Sequence, residues 1–102
     1  MKRVKVALLG AGTVGSQVYR LLEEQRADLE SRAGANIEVT AVVVRSIDAE
    51  RDVDIPKSLL TTDADAAIDD ADIVVELIGG IETPRAVVTR ALEEGKTVVT
   101  GN

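Results

Sequence analysis

Residues 4–9 are nearly all apolar and run into Gly10, the pattern of a strand buried on both faces of a sheet. From Val14 the spacing lengthens. Val14, Val18, Leu21, Leu22 and Leu29 fall on one helical stripe, with Arg20, Glu23, Glu24 and Arg26 largely outside it. The spacing predicts one helix from residue 13 to about residue 32, stopping near Gly34. Residues 37–44 are β-branched and apolar and read as a second strand. Residues 45–62 are polar, with Pro56 among them, and predict an irregular connection that holds at most a helical turn. A short helix over 63–69 has Asp63 as its N-cap, and residues 73–78 form a third strand ending at Gly79-Gly80. Thr83-Pro84 supplies an N-cap and a first-turn proline to a helix through Ala86, Val87, Arg90 and Ala91, which Gly95 closes. Residues 97–100 are a fourth strand.

Strands alternating with helices imply right-handed crossovers and a doubly wound parallel sheet of the α/β class. A chain of 102 residues allows one domain. Tyr19 is the only aromatic residue, so the core must be built from Val, Ile, Leu and Ala. The chain has neither cysteine nor histidine, which excludes disulfides and thiolate metal sites and removes the commonest metal ligand and general base. No metal site is expected: Asp69, Asp70 and Asp72 read as a solvated turn before a strand. The net charge of −6, without a basic run or aromatic platforms, argues against nucleic acid. The amino-terminal apolar run is too short for a signal peptide or membrane span, so the expected location is the cytoplasm.

The chemistry is concentrated in Gly10-Ala11-Gly12-Thr13-Val14-Gly15. A glycine triplet of this spacing is a weak signal alone, but here it follows a predicted strand and opens a predicted helix. The first glycine permits the tight turn, the second lets a pyrophosphate approach the backbone, and the third lets helix and strand pack closely. The free amides and the dipole of the helix favour a phosphate. The expected fold is therefore Rossmann-type, and the expected ligand NAD or NADP. An acidic residue at the end of the second strand usually holds the ribose 2′-hydroxyl of NAD. Here Val44 is followed by Arg45-Ser46. A guanidinium attracts the 2′-phosphate that a carboxylate repels, so NADP is favoured, with Lys57 as a second candidate cation and a solvated loop arginine as the bland reading. Gly79 and Gly80 stand where a flat cofactor would meet the ends of the strands, or form a simple strand-to-helix turn. Glu76, inside an apolar strand, either binds backbone amides near the site or reaches the sheet rim.

Beyond the glycine turn, the chain resembles bacterial homoserine dehydrogenases in Val6 to Gly15, in Val44-Arg45, in the run from Asp72 to Ile81, and in the run from Ala91 to Asn102. The resemblance implies that Gly10, Ala11, Gly12, Thr13, Val14 and Gly15 cradle the pyrophosphate and that Arg45 faces the adenine ribose. It further implies that Gly79 and Gly80 border the nicotinamide, with Thr100 and Asn102 near the same cleft. It also implies interconversion of homoserine and aspartate 4-semialdehyde, in the route to threonine, methionine and isoleucine. The family ends this stretch in Thr-Ala-Asn-Lys and assigns the lysine a catalytic role. Here Gly101 replaces the alanine and the lysine would follow Asn102, so no catalytic residue is expected within the chain. The expectation is a truncated single domain spanning 1–102, inactive alone, of an enzyme whose full-length form is a homo-oligomer. Its rivals are the same domain of another amino-acid or semialdehyde dehydrogenase, and a nucleotide-sensing module without catalysis.

Overall fold

The computed structural model describes residues 2–49, 51, 53–77 and 85–100, with the side chains of residues 85–87 left aside. Five parallel strands form one sheet: β1 (Lys2–Leu9), β2 (Ala35–Val43), β3 (Leu60–Thr61), β4 (Ile73–Glu76) and β5 (Thr97–Thr100), in the spatial order β3-β2-β1-β4-β5. β1 leads outward to β2 and β3 on one side, then the chain crosses to the other side of β1 for β4 and β5. The order of the strands thus reverses between β1 and β4.

Among the described residues four α-helices accompany the sheet: α1 (Thr13–Glu24), α2 (Arg26–Ala33), α3 (Ala64–Asp69) and α4 (Arg85–Glu93). Side chains alternate across each strand, and the parallel register puts paired residues on the same face. Val6, Leu8, Val39 and Val42 point toward α1, where they enclose Tyr19 together with Val44, Ile55 and Leu60. Ala7, Leu9 and Val74 point the other way, against Ala67 and Ile68 of α3, Ala71 and Ala91 of α4. Between Val6 and Ala7 the register with β2 shifts, so that Val6 pairs with Val39 but Ala7 with Ala41. Thr40 is the extra residue, and its hydroxyl donates to the Val6 carbonyl at 3.4 Å. Without that shift Val42 would leave the α1 side of the sheet.

The helix expected over 13–32 is broken. Gln25 leaves helical geometry (φ −102°, ψ 9°) and separates α1 from α2, although its amide still reaches Leu21 and its carbonyl still accepts from Leu29. α1 carries the buried face, whereas α2 buries no residue. α2 is secured at its end, where Gly34 turns left-handed (φ 68°) and the Glu30 carboxylate accepts the Ile37 amide at 2.6 Å. The expected stripe is met in part: Val18 and Leu22 pack against the α1-side core, but two of its members turn away from it. Val14 and Leu21 are more than half exposed, while Gly15, Ser16 and Tyr19 are buried. The fifth strand, β3, was missed in the sequence because two residues carry no periodicity. Val44 donates to the Thr61 carbonyl at 2.8 Å and holds it at the edge.

The carboxyl-terminal half is joined by charge as well as by packing. Asp63 caps α3 as expected, accepting from the Ala66 amide at 3.1 Å. Arg90 of α4 pairs with Asp69 at 2.7 Å and Asp65 at 3.6 Å, and Lys96 donates to the Asp69 carbonyl at 3.2 Å. The cations thus sit where the last carbonyls of α3 are exposed. The Asp69 pair holds Arg90 above the usual guanidinium range, against some desolvation. Asp70 pairs with Lys5 at 3.2 Å, and Asp72 accepts the Lys5 amide at 2.9 Å. Asp69 faces Arg90, while Asp70 and Asp72 face the ammonium and the amide of Lys5, and among the described residues no acidic, histidine or cysteine cluster could hold a metal ion. No described helix is long and apolar enough to cross a membrane. Val99 of β5 lies on the α1 side of the sheet, where its pairing with Val75 places it, and is half exposed.

Candidate dinucleotide site

β1 ends at Leu9 because Gly10 takes a left-handed φ of 110°, open to glycine and strained for any other residue. The turn is anchored on both sides. The Gly10 amide donates to the Val43 carbonyl at 2.9 Å, and the Ser16 hydroxyl reaches back to the Ala11 carbonyl at 2.9 Å. Ser16 is also the first residue of α1 to close a helical bond, from its amide to the Gly12 carbonyl at 2.9 Å. The amides of Thr13, Val14 and Gly15 therefore have no acceptor one turn back. No side chain caps the helix, and its first turn has no acidic residue. Such an end favours an anion through its amides and through the positive pole of the helix.

The three glycines are needed for different reasons. A Cβ on Gly15 would lie 2.2 Å from the Gly10 carbonyl oxygen, so this position must be bare for α1 to rest on the end of β1. Gly10 is needed for its φ. Gly12 has neither constraint: its backbone is extended (φ −73°), and a Cβ there would meet nothing within 4 Å among the described residues. The chain's own packing would accept a side chain at Gly12. The bare backbone there leaves a space open above the free amides, which is what a pyrophosphate lying against this turn needs.

All strand ends of interest lie on one edge. Glu76 ends β4 beside Leu9 of β1, and Thr100 ends β5 beside Glu76. The Leu77 amide then donates to the Leu9 carbonyl at 2.9 Å, and the Leu77 side chain lies close to Gly15. The glycine turn therefore sits where the strand order reverses, the position at which open α/β sheets receive ligands. Arg45 lies two residues past the end of β2, the neighbour of β1, and is exposed. Among the described residues it has no ion pair or side-chain hydrogen bond. Lys57, by contrast, faces Asp48 at 3.7 Å. Glu76 is buried and shares its sheet face with Val74 and Thr100, the face covered by α3 and α4. It therefore does not end on an open rim. Thr100 is exposed. Gly79, Gly80, Asn102, Thr83 and Pro84 lie outside the described residues.

A residue the sequence did not single out organises the loop after β2. The Arg51 guanidinium donates to the carbonyls of Ala49 at 2.8 Å and Ile47 at 3.2 Å, and to that of Ser46. The only sequence signal was an arginine within a short polar loop.

The strand order and the glycine turn define a dinucleotide-binding domain of the Rossmann class. The family model described as "Homoserine dehydrogenase, NAD binding domain" matches residues 10–102, and the chain belongs to that family. The homoserine dehydrogenase of Corynebacterium glutamicum is 52% identical over 101 residues, which cover 97% of this chain and 22% of that protein. That of Bacillus subtilis is 39% identical over 104 residues, covering 100% of this chain and 24% of that protein. The crystal structure of Staphylococcus aureus homoserine dehydrogenase at pH 7.5 superimposes with a TM-score of 0.89 at 36% identity, over 99% of this chain and 26% of that one. The Thiobacillus denitrificans enzyme gives 0.83 at 40% identity, over 100% and 24%. The chain thus spans between a fifth and a quarter of the curated relatives' length.

Proposed function

We propose that this domain holds NADP, or NAD less firmly, for the interconversion of homoserine and aspartate 4-semialdehyde in the cytoplasm, as part of a homo-oligomeric enzyme. The observation that carries the cofactor site is Gly12, bare where neither backbone nor packing requires it. A nicotinamide dinucleotide bound there supplies the hydride chemistry of the reaction. The chain's own residues bind and orient it. The free amides of Thr13, Val14 and Gly15 receive the pyrophosphate against Gly10, Ala11 and Gly12. Arg45 at the end of β2 receives the adenine ribose and its 2′-phosphate, a role favoured over Lys57 because Asp48 already faces that ammonium. Thr100, with Gly79, Gly80 and Asn102, borders the nicotinamide half. That the match is to an NAD binding domain, and to about a fifth of a relative's length, supports the reading that the 102 residues alone bind dinucleotide and do not oxidise homoserine.

Calorimetry with NAD and NADP tests the reading. Gly12→Val should abolish binding of both cofactors while leaving the fold intact. Gly15→Ala should damage the fold itself, through the clash with Gly10. Arg45→Ala should weaken NADP by about tenfold at low salt and NAD little, since one charge-assisted hydrogen bond is worth about 1.5–3 kcal/mol and less when exposed. Unchanged affinity in a folded Gly12→Val variant would show the turn to be purely structural. Homoserine-dependent turnover by the 102 residues would refute the statement that they are inactive alone.

A further inference from the structure

We propose that Arg51 is a positioning residue for the adenosine half of the dinucleotide, an inference that rests on the cofactor reading above. Its guanidinium is committed to the carbonyls of Ser46, Ile47 and Ala49, so it is a tie within the loop rather than a phosphate ligand. Arg45, the candidate contact for the ribose and 2′-phosphate, stands at the start of that tied loop.

The geometry gives the tie a second effect. In a trans peptide the carbonyl and the following amide point in opposite directions, and the chain has no cis bond among its described residues. Turning the carbonyls of Ser46 and Ile47 toward Arg51 turns the amides of Ile47 and Asp48 away from it. Two donors of the loop that follows Arg45 are therefore left facing away from the guanidinium, a sign suited to hydroxyl and phosphate oxygens. Its ends are fixed too: Val44 and Ile55 are buried in the α1-side core. The backbone that follows Arg45 is thus ordered beforehand, which lowers the entropy lost on binding.

A lysine keeps the charge of Arg51 but places it at one point and cannot reproduce the planar fork of donors. Calorimetry on the 102-residue chain would compare Arg51→Lys and Arg51→Ala with the wild type. The probes are ADP-ribose, 2′,5′-ADP, NAD and NADP, each at low and high salt. Both variants should bind all four about five- to tenfold more weakly, the range expected when a preorganised loop must be ordered by its ligand. The ratio of variant to wild-type affinity should hardly change with salt, and the Ile47 and Asp48 amides should exchange hydrogen faster in both variants. The inference is overturned if Arg51→Lys binds like the wild type. It is equally overturned if the loss is confined to 2′,5′-ADP and NADP and vanishes at high salt, because Arg51 would then act as a direct phosphate charge. Faster amide exchange with unaltered binding would leave Arg51 a loop-stabilising residue only, and refutes its role toward the ligand. A wild-type chain that binds none of the four probes removes the dinucleotide reading itself, whereas wild-type binding with equal variants removes only the role of Arg51.

Discussion

Against one face of the sheet the chain packs Val6, Leu8, Val39, Val42 and the ring of Tyr19. Against the other it packs Ala7, Ala67, Ala71 and Ala91 around Leu9, Ile68 and Val74. The first face gains its cohesion from bulk, and its helix is located by one glycine, Gly15, at the point of closest approach. The second uses small residues that let helix and sheet approach, and it adds Arg90 and Lys96 on the acidic end of α3. Apolar area removed from water contributes roughly 25 cal/mol per Å², whereas exposed ion pairs contribute little. Both faces therefore rest chiefly on apolar burial, and the second adds a smaller, screenable contribution from its exposed pairs. The α3–α4 contact depends more on solution conditions.

The largest effect should come from removing bulk on the first face. Leu8 is fully buried between β2 and β4, and Leu8→Ala should cost about 2–5 kcal/mol, read by urea denaturation. On the second face the opposite change is the sensitive one. Ala91 is fully buried on α4, and Ala91→Leu should cost about 1–3 kcal/mol by overpacking. If Ala91→Leu proved neutral, the second face would have slack, and the contrast between the faces would fail. Arg90→Ala should have a smaller effect that shrinks further as salt is added, measured as the difference in midpoint between low and high ionic strength. The smallest effect is confined to alkaline pH. Burial first, and then the Glu23 carboxylate, raise the Tyr19 hydroxyl above its usual pKa of 10.0. The unfolded chain releases that proton first, so this contribution is complete below about pH 10 and is lost as pH rises toward the folded value. Tyr19→Phe should remove that part of the alkaline slope and leave neutral-pH behaviour nearly unchanged.

The sequence made the scaffold of the site readable because each of its parts is local. A glycine turn between a strand and a helix, an apolar run ending in Val44-Arg45 and an Asp63 cap are all patterns of neighbours along the chain. What escaped is set by tertiary contact. The stripe through Val14 and Leu21 followed the bulky side chains, yet the rotation of α1 is fixed by its smallest residue, because only Gly15 can touch the Gly10 carbonyl. That contact turns Tyr19 inward and Val14 outward. The break at Gln25 leaves both flanking hydrogen bonds intact, so composition gives no sign of it. β3 is two residues long and exists only because Val42, Val43 and the Val44 amide offer it partners. The role of Arg51 depends on three carbonyls of a loop whose shape no periodicity describes.

The exposed valines and leucine also bear on how molecules of this chain meet one another. Val14 and Leu21 stand seven residues apart, two turns along one flank of α1, and Val99 stands on the α1 side of an edge strand. Apolar surface of this kind attracts its own copies. At neutral pH the net charge of −6 opposes that attraction through mutual repulsion. Acidification toward the isoelectric point of about 4.6 removes the repulsion and leaves the apolar surface in place. The acidic composition is thus the colloidal counterpart of the side chains that the fold leaves uncovered: at neutral pH it opposes the association that they favour.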